Sequence, residues 1–137
     1  MRKLFALATL TAALASIVPV AAHHSFAAEF DEKKPVTLKG KLTQLEWLNP
    51  HGWIHMDVAE PDGKVVNWAI EAGAPNALIR RGLRKTDFPV GSEIVVQGCR
   101  SKDDKPRASG TTVTFADGRN FFLGASDTQS QAAPAQR

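Results

Sequence analysis

The sequence has almost no cysteine and no apolar run long enough to cross a membrane. Cys99 is the only cysteine among 137 residues, so no disulfide can form within the chain and the core must stabilise the fold. We expect Cys99 to be a small buried side chain rather than a reactive thiol. The longest apolar stretch, Leu4–Val18, is shorter than the roughly 20 residues that a membrane-spanning helix needs.

Common catalytic and cofactor-binding motifs are also missing. The chain contains no nucleophile elbow, no phosphate-binding glycine loop and no paired-cysteine metal site. The excess of positive over negative charge is small as well. The formal net charge of +3 falls to about +1 if Arg2 and Lys3 are removed with a signal peptide. This near-neutral balance gives no reason to expect nucleic acid as a partner.

The first twenty-two residues have the pattern of a secretory signal peptide. A positive start at Met1–Lys3 is followed by the apolar stretch, by Pro19 and by the small residues Val20–Ala22. We therefore predict cleavage after Ala22, a periplasmic or secreted location and no transmembrane span in the mature chain. The mature protein would begin with His23 and His24.

The remaining sequence divides into three parts. Residues 23–34 form a polar lead segment in which Phe26 and Phe30 are the apolar positions, and residues 35–124 carry the periodic pattern of a folded domain. Residues 125–137 are rich in serine, glutamine, alanine and proline and lack apolar periodicity. We predict that this last part is a disordered tail.

Alternation with a period of two dominates the predicted domain. It indicates three strands, then a short helix over Pro75–Arg81 that ends at Gly82, then two or three further strands. The alternation changes parity after Leu42, which predicts a bulge near Thr43 or Gln44. This order, with a long bent first strand, is that of an OB-like, partly open Greek-key β-barrel. A small β-sandwich with the same strands is the alternative.

Several segments resemble a family of small exported bacterial proteins of unknown function. They are His23–Asp31 (HHSFAAEFD), Leu38–Leu42 (LKGKL), Glu46–Trp53 (EWLNPHGW) and Pro75–Gly82 (PNALIRRG). The resemblance covers nearly all of the mature chain except the tail. It implies export and a single small β-domain, and it implies no particular activity.

All four histidines occur in two pairs, which suggests a metal site. A free α-amine at His23 could bind copper, or less favourably zinc, together with its own imidazole, in the manner of a histidine brace. In extended chain His51 and His55 would lie roughly 13 Å apart, too far to share one ion. We therefore expect one of them to complete a site begun by His23 or His24, with Asp57 orienting a ligand. The alternative is that all four are ordinary polar residues.

A second hypothesis is a metal-independent adaptor for an envelope protein or another ligand. Its candidate contacts are Trp53 and the basic residues at the helix end: Arg80, Arg81 and Arg84. A copper-dependent oxidoreductase is the least favoured function, because no spacing links Glu46, Asp57 and Glu71 into an acid–base set.

Overall fold

The computed structural model describes residues 26–124, which form six strands and two short helices. A single 3₁₀ turn spans Lys85–Asp87. In chain order the helices and strands are α1 (Phe26–Glu29), β1 (Phe30–Glu46), β2 (Gly52–Ala59), β3 (Val65–Ala72), α2 (Pro75–Arg80), β4 (Glu93–Ser101), β5 (Arg107–Phe115) and β6 (Asn120–Phe122).

The strands form one six-stranded sheet that curves into a ring. Their order is β3–β2–β1–β4–β5–β6, with every neighbouring pair antiparallel, and a further parallel pairing joins β3 to β5. This closing seam contains three pairs, with Ala69 opposite Arg107, Ile70 opposite Ala108 and Glu71 opposite Ser109. The ring β1–β2–β3–β5–β4 is the arrangement of an OB-like barrel, so the predicted mainly β fold is confirmed.

Strand β1 connects the two halves of the ring. Its first part pairs with β4 and its second part with β2, and both pairings include Gly40 and Lys41. The register against β2 shifts between Leu42 and Gln44, which confirms the predicted bulge. The strand begins at Phe30, so the sheet includes the end of the segment that the sequence pattern separated from the domain.

The interior is filled by the inward-facing members of each alternating strand. Along β2 every second residue is buried, and along β3 Trp68, Ile70 and Ala72 are buried. Helix α2 adds Leu78, which is fully buried, and ends one residue earlier than predicted, before Gly82 turns the chain with a φ of 87°. The inward set on β2 consists of Gly52, Ile54, Met56 and Val58.

No helix among residues 26–124 is long and apolar enough to cross a membrane. The described helices are four and six residues long, whereas a span needs about 20.

We predict that Gly40→Ala destabilises the fold strongly. A Cβ atom at this position would overlap the backbone carbonyl of Asp57, which lies on the paired strand and cannot move without breaking the ladder. We expect a loss of about 3 kcal/mol in the free energy of unfolding, measured by urea titration.

Gly52→Ala is the matched control for this substitution. Gly52 is also a strand glycine, but its added Cβ would lie 3.4 Å from the nearest atom, the carbonyl oxygen of Glu46. Equal losses of stability in the two variants would refute the close approach of β1 and β2 at Gly40.

Candidate functional site

The outer face of β1, β2 and β3 carries most of the chemically capable side chains. Ile54 and Ile70 point into the core, so their neighbours along β2 and β3 point outward. The register places Trp53 between Glu46 on β1 and Glu71 on β3. We call these three residues the central row. The adjacent outward positions on β2 and β3 hold His55 opposite Ala69.

Each glutamate of the central row contacts a histidine. Nε2 of His55 lies 2.8 Å from Oε1 of Glu46, and the two form a hydrogen bond. Nδ1 of His51, in the loop before β2, lies 3.1 Å from Oε1 of Glu71. This second contact is not aligned as a hydrogen bond, because Nδ1 is buried without a hydrogen-bond partner. The two histidine–carboxylate pairs thus flank Trp53.

Glu71 is the more deeply placed of the two carboxylates. Its side chain is 15% exposed, against 39% for Glu46. Burial raises the pKa of Glu71 above its ordinary value, the nearby His51 lowers it, Glu29 raises it and Arg107 lowers it. The net direction is upward, because the cost of burying this charge, together with the repulsion from Glu29, exceeds the stabilisation by His51 and Arg107.

The parallel seam beside Glu71 contains further incompletely paired polar atoms. Ser109, directly opposite Glu71 on β5, is fully buried, and its Oγ has no hydrogen-bond partner. Nε of Arg107 is also buried without such a partner, although Nη2 of the same side chain lies 3.7 Å from Asp103. The surroundings of Glu71 therefore hold more hydrogen-bonding capacity than the described contacts use.

The structure brings two of the predicted metal ligands, His51 and His55, to the outer face beside Trp53. His23 and His24 lie outside the described residues. Asp57 accepts a hydrogen bond of 2.8 Å from Nδ2 of Asn67, and its role beside a bound metal stays a prediction. Within residues 26–124 no group of three histidine, cysteine or acidic side chains is arranged to hold a metal ion.

The other predicted contact residues lie at the end of α2. Arg80, Arg81 and Arg84 are exposed. The guanidinium of Arg81 stacks over Phe122 at 5.1 Å from the ring centroid, and the backbone N–H of Arg84 donates to the Asp87 carboxylate. These contacts give two of the arginines a structural role, and partner binding by the group stays a prediction.

Cys99 is half-buried rather than fully buried. Burial raises the pKa of its thiol, and the nearby Glu32 and Asp31 raise it further. A raised pKa lowers the fraction of reactive thiolate at neutral pH. The expectation that Cys99 is not a reactive thiol therefore agrees with its surroundings.

Sequence reasoning missed the importance of Glu46 and Glu71. They are separated by 25 positions and have no motif spacing, so the sequence alone indicates no role for them. Only the register of β2 against its two neighbours reveals that they lie on either side of Trp53. The available signal was the outward parity of Trp53 and Glu71 on two adjacent predicted strands.

Comparison with known proteins identifies a family without identifying an activity. Residues 11–111 match a family model described as a family of unknown function, DUF6152. The chain therefore belongs to this family. No curated protein and no solved structure matches it.

We predict that Glu71→Gln makes the fold more stable at neutral pH. The pKa of Glu71 is raised in the folded state, so its contribution to stability is complete below the unfolded pKa and is lost as the pH rises through the folded value. Glutamine does not ionise and avoids this loss. Urea unfolding should show a gain of about 1 kcal/mol at pH 7 that disappears near pH 4.

Glu46→Gln is the control for this measurement, because the more exposed Glu46 also contacts a histidine. It should change stability less than Glu71→Gln does. A Glu71→Gln protein that is less stable than the wild type at pH 7 would show that the contact with His51 outweighs the cost of burial.

Proposed function

We propose that this member of a family of unknown function is an exported protein that binds copper, or with lower preference zinc. The proposed ligands are the α-amine and imidazole of a mature amino-terminal His23, together with a histidine from the outer face of β2. His24 is a further candidate. The proposal is a binding role, for delivery or buffering of the metal, and assigns no chemical step to the protein.

The observation that carries this proposal is the pairing of each described histidine with a carboxylate. Metal-binding histidines commonly use one ring nitrogen for the ion while the other contacts a carboxylate, which sets the ring orientation and increases basicity. His51 contacts Glu71 through Nδ1, and His55 contacts Glu46 through Nε2. Within residues 26–124, no described contact uses the second nitrogen of either ring, and this is the nitrogen proposed to bind the metal.

The position of the first described residues supports a contribution from the amino terminus. Glu29, at the end of α1, lies close enough to Glu71 to influence its pKa. His23 precedes Phe26 by three residues, and three residues of extended chain span at most about 10 Å. A terminal histidine at position 23 would lie six residues before Glu29, and this short separation is the basis for proposing that it approaches the His51 side of the outer face.

The nature of the ligands favours copper over the hard cations. Imidazole and amine nitrogens suit copper, zinc and nickel, whereas magnesium and calcium prefer oxygen ligands. The described residues lack a complete three-ligand site, so the proposal requires the terminal nitrogens. This dependence makes the free amino terminus the decisive feature to test.

The test compares the mature protein with a variant that carries one additional methionine before His23. The protein should be exported from its full precursor, and intact mass should establish that it begins at His23. The extension removes the chelate between α-amine and imidazole, so we expect the copper affinity measured by calorimetric titration to fall by more than about tenfold.

Ser25→Ala is the matched control, because it changes the same segment and removes no proposed ligand. It should bind copper as the wild type does. Unchanged affinity in the extended variant, or a mature chain that begins elsewhere than at His23, would contradict the proposal.

A further inference from the structure

The central row presents an aromatic ring between two carboxylates. Glu46 and Glu71 are the direct cross-strand neighbours of Trp53, and such neighbours have Cβ atoms about 5 Å apart. Both glutamates make their described histidine contacts through Oε1. Among residues 26–124, no described contact uses the second oxygen of either carboxylate, which leaves it able to accept a hydrogen bond from a ligand.

Four other aromatic rings of the domain have an arginine of the same chain over them. Arg81 lies over Phe122, Arg100 lies over Trp68, and Arg119 lies over Phe115 and Phe121, with distances of 5.1–5.8 Å to the ring centroids. Among residues 26–124, no such contact involves Trp53. This half-exposed ring has acidic neighbours on both sides instead.

The central row therefore combines two features that attract a cation. The face of an indole attracts ammonium and guanidinium groups within about 6 Å of the ring centroid. Carboxylates beside the ring add charge-assisted hydrogen bonds. Arg107, opposite Ala69 on β5, has its Nη2 atom 3.7 Å from Oδ2 of Asp103.

We propose that Trp53, Glu46 and Glu71 form a binding site for an organic cation, namely an ammonium or guanidinium group of a ligand. The indole contacts the face of the cation, and the two carboxylates accept hydrogen bonds from its N–H groups or attract its charge. Ala69, which lies opposite His55 on β3, carries only a methyl group. Little side chain therefore projects from β3 next to the indole.

This site does not depend on the proposed copper function. It uses no residue outside 26–124 and no coordinating nitrogen. A ligand held here would contact the carboxylates that orient His51 and His55, so the two sites would be neighbours. Measurements on metal-free protein separate them, because failure to bind copper leaves the cation site intact and the reverse also holds.

The experiment uses the full mature protein with EDTA and follows binding by nuclear magnetic resonance or calorimetry. Choline and N-acetylarginine amide are the probes, and their uncharged analogues are 3,3-dimethylbutanol and N-acetylcitrulline amide. We expect at least one cation to bind with a dissociation constant of about 1 mM, and its neutral analogue to bind at least about tenfold more weakly.

The variants then assign the site. Trp53→Ala and the double variant Glu46→Gln with Glu71→Gln should each weaken binding of the cation by about tenfold, whereas Trp53→Phe should retain most of it. Asp62→Asn, which removes an exposed acid in the turn between β2 and β3, is the control and should change nothing. Circular dichroism of each variant verifies that the fold is retained.

The pattern of probes also distinguishes the source of the cation. Preferential binding of N-acetylarginine amide supports a protein side chain as the natural ligand, and preferential binding of choline supports a small metabolite. Equal binding of charged and neutral probes, unchanged affinity in the double glutamine variant, or no binding of either cation at 10-fold the expected dissociation constant (about 10 mM) would overturn the proposal.

Discussion

The register of β2 against β1 and β3 is the constraint on which the outer face depends. Alternating residues of a strand point to opposite sides, so a shift of one residue would exchange the buried and exposed sets completely. Met56 and Ile70 are fully buried in the observed register, and a slip would place them in water. The energy of the core thus determines where Trp53 and the two histidines lie.

The general architecture could be predicted because burial leaves a direct trace in the sequence. The inward residues of β2 and β3 alternate with more exposed ones, and the change of parity after Leu42 corresponds to the observed bulge. The start of β1 was harder to predict. Phe30 pairs with Ser101, and the register then shifts before Pro35, so the four charged residues between them have no simple alternation.

The candidate site was less predictable because it depends on neighbours that are distant in the chain. Judged from its sequence neighbours alone, a histidine could equally be a metal ligand or an ordinary polar residue. Only pairing across three strands shows that His51 meets Glu71 and that His55 meets Glu46. Longer-range contacts of this kind follow from packing rather than from local propensity, and one chain without a structure contains no direct record of them.

The short parallel seam between β3 and β5 is the weakest strand pairing in the ring. Three residue pairs join β3 to β5, whereas eight join β2 to β3. Transient breathing of the barrel should therefore begin at the seam, since local opening occurs where the fewest interactions must break. This local opening would separate Glu71 from Ser109 and admit solvent to the interior. The hydrogen-bonded pairing of β1, β2 and β3 would stay intact. The outer face that carries the central row would thus persist while the barrel is open.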